Sequence, residues 1–162
     1  MRRIHRLAMI PAFAAPWDFT LKGEPGSRHM TVLIALQHPF TRGTVHISSK
    51  EVTQPPAIDH AYLNNTIDID LLIQGVKLAR NIVESEPLKS SVVKEVQPGS
   101  NVTSTEALTE YFKKSLWTVF HPSGTCAMLP RGDGGVVDEK LRVYGTSNLR
   151  VVSTMRNYFL QY

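Results

Sequence analysis

Residues 120–128, FHPSGTCAM, set a histidine directly before a proline, then a serine–glycine pair, then small residues around Cys126, the single cysteine of the chain. Proline restricts the residue before it to extended backbone, so His121 cannot sit inside a regular helix and is expected at the end of an extended segment. Ser123-Gly124 reads as a turn, and glycine lets the backbone approach another group closely. A histidine presented at such a bend suits a proton-transfer residue or a ligand contact; it equally suits one that hydrogen-bonds at a strand end. Ser123 lacks the flanking glycine of a G-x-S-x-G elbow, so a serine hydrolase is not indicated. One cysteine excludes an internal disulfide framework and a cysteine-based zinc cluster. His5, His29, His38, His46, His60 and His121 show none of the i, i+3 or i, i+4 pairing of a helical metal site, and no metal is expected.

The elements that would position His121 follow from periodicity. MTVLIALQ, residues 30–37, is a continuous apolar run of strand length, consistent with a strand covered on both faces. TVHIS, residues 44–48, alternates, with Val45 and Ile47 on one face and His46 on the polar one. The two runs suggest neighbouring antiparallel strands. In DIDLLIQGVKLARNIVES, residues 68–85, Ile69, Leu72, Val76, Ala79 and Val83 recur at helical spacing, and Leu71, Leu78 and Ile82 widen the stripe. Asp68 is expected to cap this helix, Pro87 lies beyond its end, and Lys77, Arg80 and Glu84 fall on the opposite, solvated side. A second helix opens on the capping box Thr103-x-x-Glu106 and presents Leu108, Tyr111, Phe112 and Leu116. LWTVF, residues 116–120, then reads as a short strand leading into His121, and residues 134–152 as short strands separated by Gly and Asn turns.

The chain as a whole has 162 residues, the size of one domain, with 42% hydrophobic and 20% charged residues, as in an ordinary globular protein. Its net charge of +4 comes without a basic stripe interleaved with aromatics, so nucleic-acid binding is not expected. No apolar run approaches the roughly 18 residues that span a bilayer. MRRIHR followed by LAMIPAFAA reads either as a signal-like segment or as an ordinary leading strand or loop, which leaves secretion and the cytoplasm both open. Asn64 with Thr66, and Asn101 with Thr103, form glycosylation sequons usable in a secreted protein. No G-x-G-x-x-G follows a strand, so nothing here cradles a dinucleotide phosphate.

Taken together, His121, Pro122, Gly124, Thr125 and Met128, then Gly135-Val136-Val137-Asp138, then Leu141-Arg142-Val143-x-Gly145, then Leu149-Arg150-Val151-Val152 resemble the C-terminal signature of the glucose-methanol-choline (GMC) family of flavin oxidoreductases. Pro39, Arg42 and Gly43 in HPFTRG resemble an upstream family segment. The resemblance implies an α+β fold: an antiparallel β-sheet with helices packed on one side, followed by short strands that would return to an FAD domain. It divides the chain into an N-terminal segment (1–24), a substrate-binding domain (25–135), returning strands (136–152) and a divergent tail (153–162). It implies alcohol oxidation with FAD as cofactor, His121 as proton acceptor, and Phe120, His121, Ser153 and Thr154 as flavin neighbours. The tail departs from the family's L-R-V-V-D-A-S, because Ser153 and Thr154 stand where Asp and Ala are expected, and Asn157 falls too early for a second catalytic residue. Family members are several times longer and carry their dinucleotide-binding glycines in the part that precedes this one. The resemblance therefore implies a C-terminal portion, inactive alone, with a small alcohol as substrate and an exposed interface where the FAD domain is missing. The alternative is a truncated, non-enzymatic fragment or interaction module of GMC ancestry.

Overall fold

The computed structural model describes residues 28–118, 120 and 123–152, together with the strand Leu7–Phe13. The chain is α+β. Its elements run β1 (Leu7–Phe13), β2 (Thr31–Leu36), β3 (Thr44–His46), β4 (Ala57–Asp59), α1 (Thr66–Val83) and α2 (Thr105–Ser115), with 3-10 turns at Lys89–Ser91 and Arg131–Asp133. They form two compact units. The first takes the chain up to Thr41 and from Leu63 to Trp117; the second takes Arg42–Tyr62 and the chain from Thr118 onward.

In the first unit β1 pairs antiparallel with β2, from Leu7 opposite Leu36 to Phe13 opposite Thr31. The register shifts between Pro11 and Phe13, where a residue without an N–H is tolerated at an irregularity of the ladder. Every residue of β2 is half-buried, in keeping with its unbroken apolar run. Helix α1 lies against this sheet, and α2 packs on α1. The core is the cluster of Leu72, Ile73, Val76, Leu108 and Phe112, joined by Ile34 and Leu36 from β2 and by Leu63, Ile69, Val102, Tyr111 and Leu116. Fully burying side chains such as Leu108 and Phe112 contributes about 1.5–3 kcal/mol each. The stripe is narrower than the sequence suggests, since Leu78 and Ile82 are each 42% exposed.

Both helix starts differ from expectation by the same kind of detail. Asn65, not Asp68, caps α1: its backbone is extended and its side chain accepts the N–H of Ile67. Asp68 is instead buried, and its two carboxyl oxygens accept the N–H groups of Phe40 and Thr41, each at 2.8 Å. It thereby ties the HPFT turn to the first turn of α1. Helix α2 is capped by Ser104, one residue later than the Thr103 box, with Oγ accepting the N–H of Ala107. Glu106 then sits inside the first turn, where its own N–H and the Ser104 hydroxyl hold its carboxyl below the ordinary range.

The helical pattern puts Arg80 on the solvated side of α1. Its guanidinium is engaged instead: Nε and one terminal nitrogen donate to the Glu95 carboxylate at 3.0 and 2.9 Å, and that nitrogen also donates to the carbonyls of Gly99 and Val102. One side chain thus fastens the 95–102 loop to the helix. A planar, forked donor satisfies several fixed acceptors at once, which periodicity cannot reveal.

In the second unit β3 pairs antiparallel with β4, through Thr44–Asp59, Val45–Ile58 and His46–Ala57. The expectation that β2 and β3 neighbour each other is therefore wrong: they belong to separate two-stranded sheets. The alternation of TVHIS does not mark a buried face either, because all of β3 and β4 is exposed. Gly43 enters β3 so close to β4 that a Cβ there would collide with the Asp59 carbonyl, which accounts for glycine at this place.

Candidate functional site

The chain around the H-P motif is built without helix or regular strand among its described residues. Residues 116–118 leave α2 as irregular backbone, not as the expected strand. At Phe120 the backbone takes φ of 60°, a strained conformation for an aromatic residue. Its N–H donates to Thr118 Oγ1 at 3.0 Å, and its ring is 70% exposed. Gly124, with φ of 93°, makes the turn that the serine–glycine pair announced. His121, Pro122, Ser153, Thr154 and Asn157 lie outside the described residues.

Beyond Gly124 the backbone forms a lattice centred on one valine. Val137 is 0% exposed, bridging Met128 on one side in parallel and Val143 on the other in antiparallel sense. The N–H groups of Val136 and Val137 both donate to the Ala127 carbonyl, at 2.9 and 3.3 Å. Tyr144 donates its N–H to the Val136 carbonyl and its hydroxyl to the Leu129 carbonyl. Arg142 bridges Arg150, the Val143 N–H donates to Leu149, and that of Val151 donates to Leu141. Gly135 passes so close to Leu129 that a Cβ would overlap its carbonyl oxygen. The short strands expected over 134–152 are thus single bridges, drawn together by backbone hydrogen bonds.

Asp138 closes this lattice. One carboxyl oxygen accepts the N–H groups of Lys140 and Arg142, both at 2.9 Å, and the other accepts the Arg142 guanidinium at 2.8 Å. Its carboxyl is held below the usual range by the Arg142 N–H first, then by the Arg142 guanidinium and the Lys140 N–H. The clamp holds Leu141 at φ of 65°, in the left-handed region. In the sequence Asp138 and Arg142 stand only as letters of a motif. Their i, i+4 spacing around a short polar stretch is the available signal for a carboxylate that folds a loop on itself.

FAD, which the resemblance implies, needs a surface for its planar ring and a cradle for its pyrophosphate. In the second unit the exposed ring of Phe120 offers flat apolar surface of the kind on which a planar ring can rest. For the pyrophosphate the described residues offer no glycine-rich turn between strand and helix, and one N-terminal N–H of each helix is already taken, that of Ile67 by Asn65 and that of Ala107 by Ser104. Among the described residues no cluster of His, Cys, Asp and Glu could hold a metal ion.

Comparison with known proteins identifies the class to which this α+β chain and its series of motifs belong. The profile of the GMC oxidoreductase family matches residues 39–154, and the chain belongs to that family. It is 47% identical over 123 residues to the GMC oxidoreductase family protein Mala s 12 of Malassezia sympodialis, a match that covers 76% of this chain and 20% of that protein. Patulin synthase of Aspergillus clavatus is 36% identical over 129 residues, covering 78% and 20%. Among solved structures, a fungal aryl-alcohol oxidase superposes with a TM-score of 0.71 at 37% identity, covering 77% of this chain and 21% of its own. Pyridoxine 4-oxidase from Mesorbium loti gives 0.72 at 31% identity, covering 78% and 25%. The chain spans about a fifth of the length of the curated relatives it matches. FAD is the cofactor that the family implies; no FAD-binding domain is present in the described residues.

Proposed function

We propose that this chain supplies the substrate side of an FAD-dependent oxidoreductase acting on the CH–OH group of a small alcohol, with His121 as the proton acceptor. The observation that carries the reading is the family match over 39–154, which contains the complete series of motifs from His121 to Val152. When bound, FAD supplies the acceptor for the hydride that leaves the alcohol carbon. His121 takes the hydroxyl proton, and an imidazole with an ordinary pKa of about 6.5 is suited to do so near neutral pH. Phe120, with Ser153 and Thr154, would border the flavin ring, and the exposed ring of Phe120 agrees with that role. The phosphates would be held by polypeptide other than residues 28–152. That polypeptide would cover apolar side chains now exposed in the second unit, such as Val45, Ile47, Val52 and Ile58.

In the assembled flavoenzyme, His121→Ala is expected to keep the visible flavin band and to lower turnover of alcohol by about 10²–10⁴-fold, the usual contribution of a positioned acid–base group. Unchanged turnover sinks the assignment. The second reading, a non-enzymatic module, is favoured by the lack of any phosphate cradle among the described residues, and flavin binding by the chain itself would defeat it. The 162-residue chain purified alone is expected to be colourless and inactive; a stoichiometric flavin band defeats the module reading.

A further inference from the structure

The two sequons Asn64-Asn65-Thr66 and Asn101-Val102-Thr103 play no part in the site, yet the fold treats them alike. Each stands at the approach to a helix of the first unit, just ahead of α1 or just ahead of the Ser104 cap of α2. In each the middle residue is half-buried and engaged. Asn65 caps α1, and Val102 packs against the core cluster. In each the outer two residues, the asparagine and the threonine two places on, are exposed. The backbone entering a helix cap is extended, as at Asn65 with φ −112° and ψ 123°, and extended backbone sends i and i+2 to the same side. At both sequons the acceptor asparagine and the threonine are thus exposed residues whose middle neighbour is anchored.

We infer that Asn64 and Asn101 are N-glycosylation sites and that the protein is made in the secretory pathway. The donor is a lipid-linked oligosaccharide. The Asn Nδ2 bonds to its anomeric carbon while the bond from that carbon to the pyrophosphate oxygen breaks; the lipid pyrophosphate leaves, and the amide gives up one proton. Transfer precedes folding, so the folded chain must leave room for a bulky, solvated substituent, and both asparagines meet that condition. Both lie on the first unit, so sugar there would reserve the loops ahead of α1 and α2 for solvent, in this chain and in any larger protein that contains it. The inference does not depend on His121 or on the flavin.

The test is peptide mass spectrometry of the protein isolated from the cells that make it, before and after peptide N-glycosidase, which leaves aspartate wherever it removes a glycan. Conversion at both positions 64 and 101 is expected. Asparagine found unmodified at either position overturns the assignment of that position, and unmodified asparagine at both overturns the secretory origin as well. In a secreting host, Thr66→Ala and Thr103→Ala are each expected to abolish one glycosidase-sensitive band shift, and Thr66→Ser and Thr103→Ser to restore it. Loss of neither shift in the alanine variants refutes the sites even where Asn64→Gln or Asn101→Gln fails to fold.

Discussion

The two units of this chain hold themselves together by different physics. The first excludes water from a cluster of leucine, isoleucine, valine and phenylalanine between two helices and a two-stranded sheet. In the second, Ala127 and Val137 are the buried apolar residues among those described, and its order comes from a web of backbone hydrogen bonds, a carboxylate clamp and glycines at close approaches. An apolar core tolerates exchange of side chains of similar volume. A hydrogen-bonded lattice does not tolerate loss of one partner, because the other is left desolvated and unpaired. The second unit is also the one in which most of the linked family motifs fall, from Gly124 to Val152, so the proposed chemistry would be mounted on the part with the least hydrophobic reserve.

The contrast can be broken at its strongest point first. Leu108 is 1% exposed at the contact of α2 with the core, and Leu108→Ala is expected to destabilise the first unit by about 2–5 kcal/mol. Urea unfolding followed by far-UV circular dichroism, which is dominated by α1 and α2, reads this; a loss under about 1 kcal/mol would mean that the core is not what holds the helices.

A smaller and more local effect is expected from Gly135→Ala. The added methyl meets the Leu129 carbonyl, and overpacking of this kind costs about 1–3 kcal/mol. Amide exchange is expected to quicken at Val136 and Val137, which donate to Ala127, while the amides of α1 stay protected. Equal loss of protection in α1 would show that the units do not differ in kind.

The smallest effect sharpens the comparison through pH. Because the Asp138 carboxyl is held below its ordinary value, its stabilisation is fully present above the unfolded-state pKa of about 4 and is lost as pH falls through the lower folded value. Protection of the Lys140 and Arg142 amides should therefore fade below about pH 4 and be weakened at all pH values in Asp138→Ala. Glu106 and Glu110 of α2 are lowered as well, by a backbone N–H and the Ser104 hydroxyl and by Lys113 respectively, so the readout must be these two amides and not global melting. Protection at Lys140 that is indifferent to acid would mean that the carboxylate does not hold the loop.

The same division separates what could be read in the sequence from what could not. Helices α1 and α2 are legible because burial of one face imposes a 3.6-residue period on Leu72, Val76, Leu108 and Phe112. Asp68 misleads because an acidic residue near a helix start can cap it or can reach back to bind another segment, and only the position of Phe40 and Thr41 decides. Strand pairing misleads because β2 and β3 adjoin in sequence, whereas β1 and β4 complete their sheets. The lattice around Val137 has no period at all: its ladder is reduced to single bridges, so no alternation is imposed on the residues. It is legible only as a linked set of motifs, and the contacts now give those letters their reasons, with Gly135 for clearance, Val137 for burial, and Asp138 with Arg142 for closure.

The turn Arg131–Asp133 has a use of its own. It leaves the lattice at Pro130 and returns through Gly134 in the left-handed region, all of its residues are exposed, and a Cβ on Gly132 would meet open space. The two strands of backbone that feed it are already tied to each other at its base, by the Asp133 and Gly135 N–H groups donating to Pro130. Chain length inserted at Gly132 would therefore balloon outward without reaching Val137, which makes this the position at which to graft an epitope or a fluorescent label.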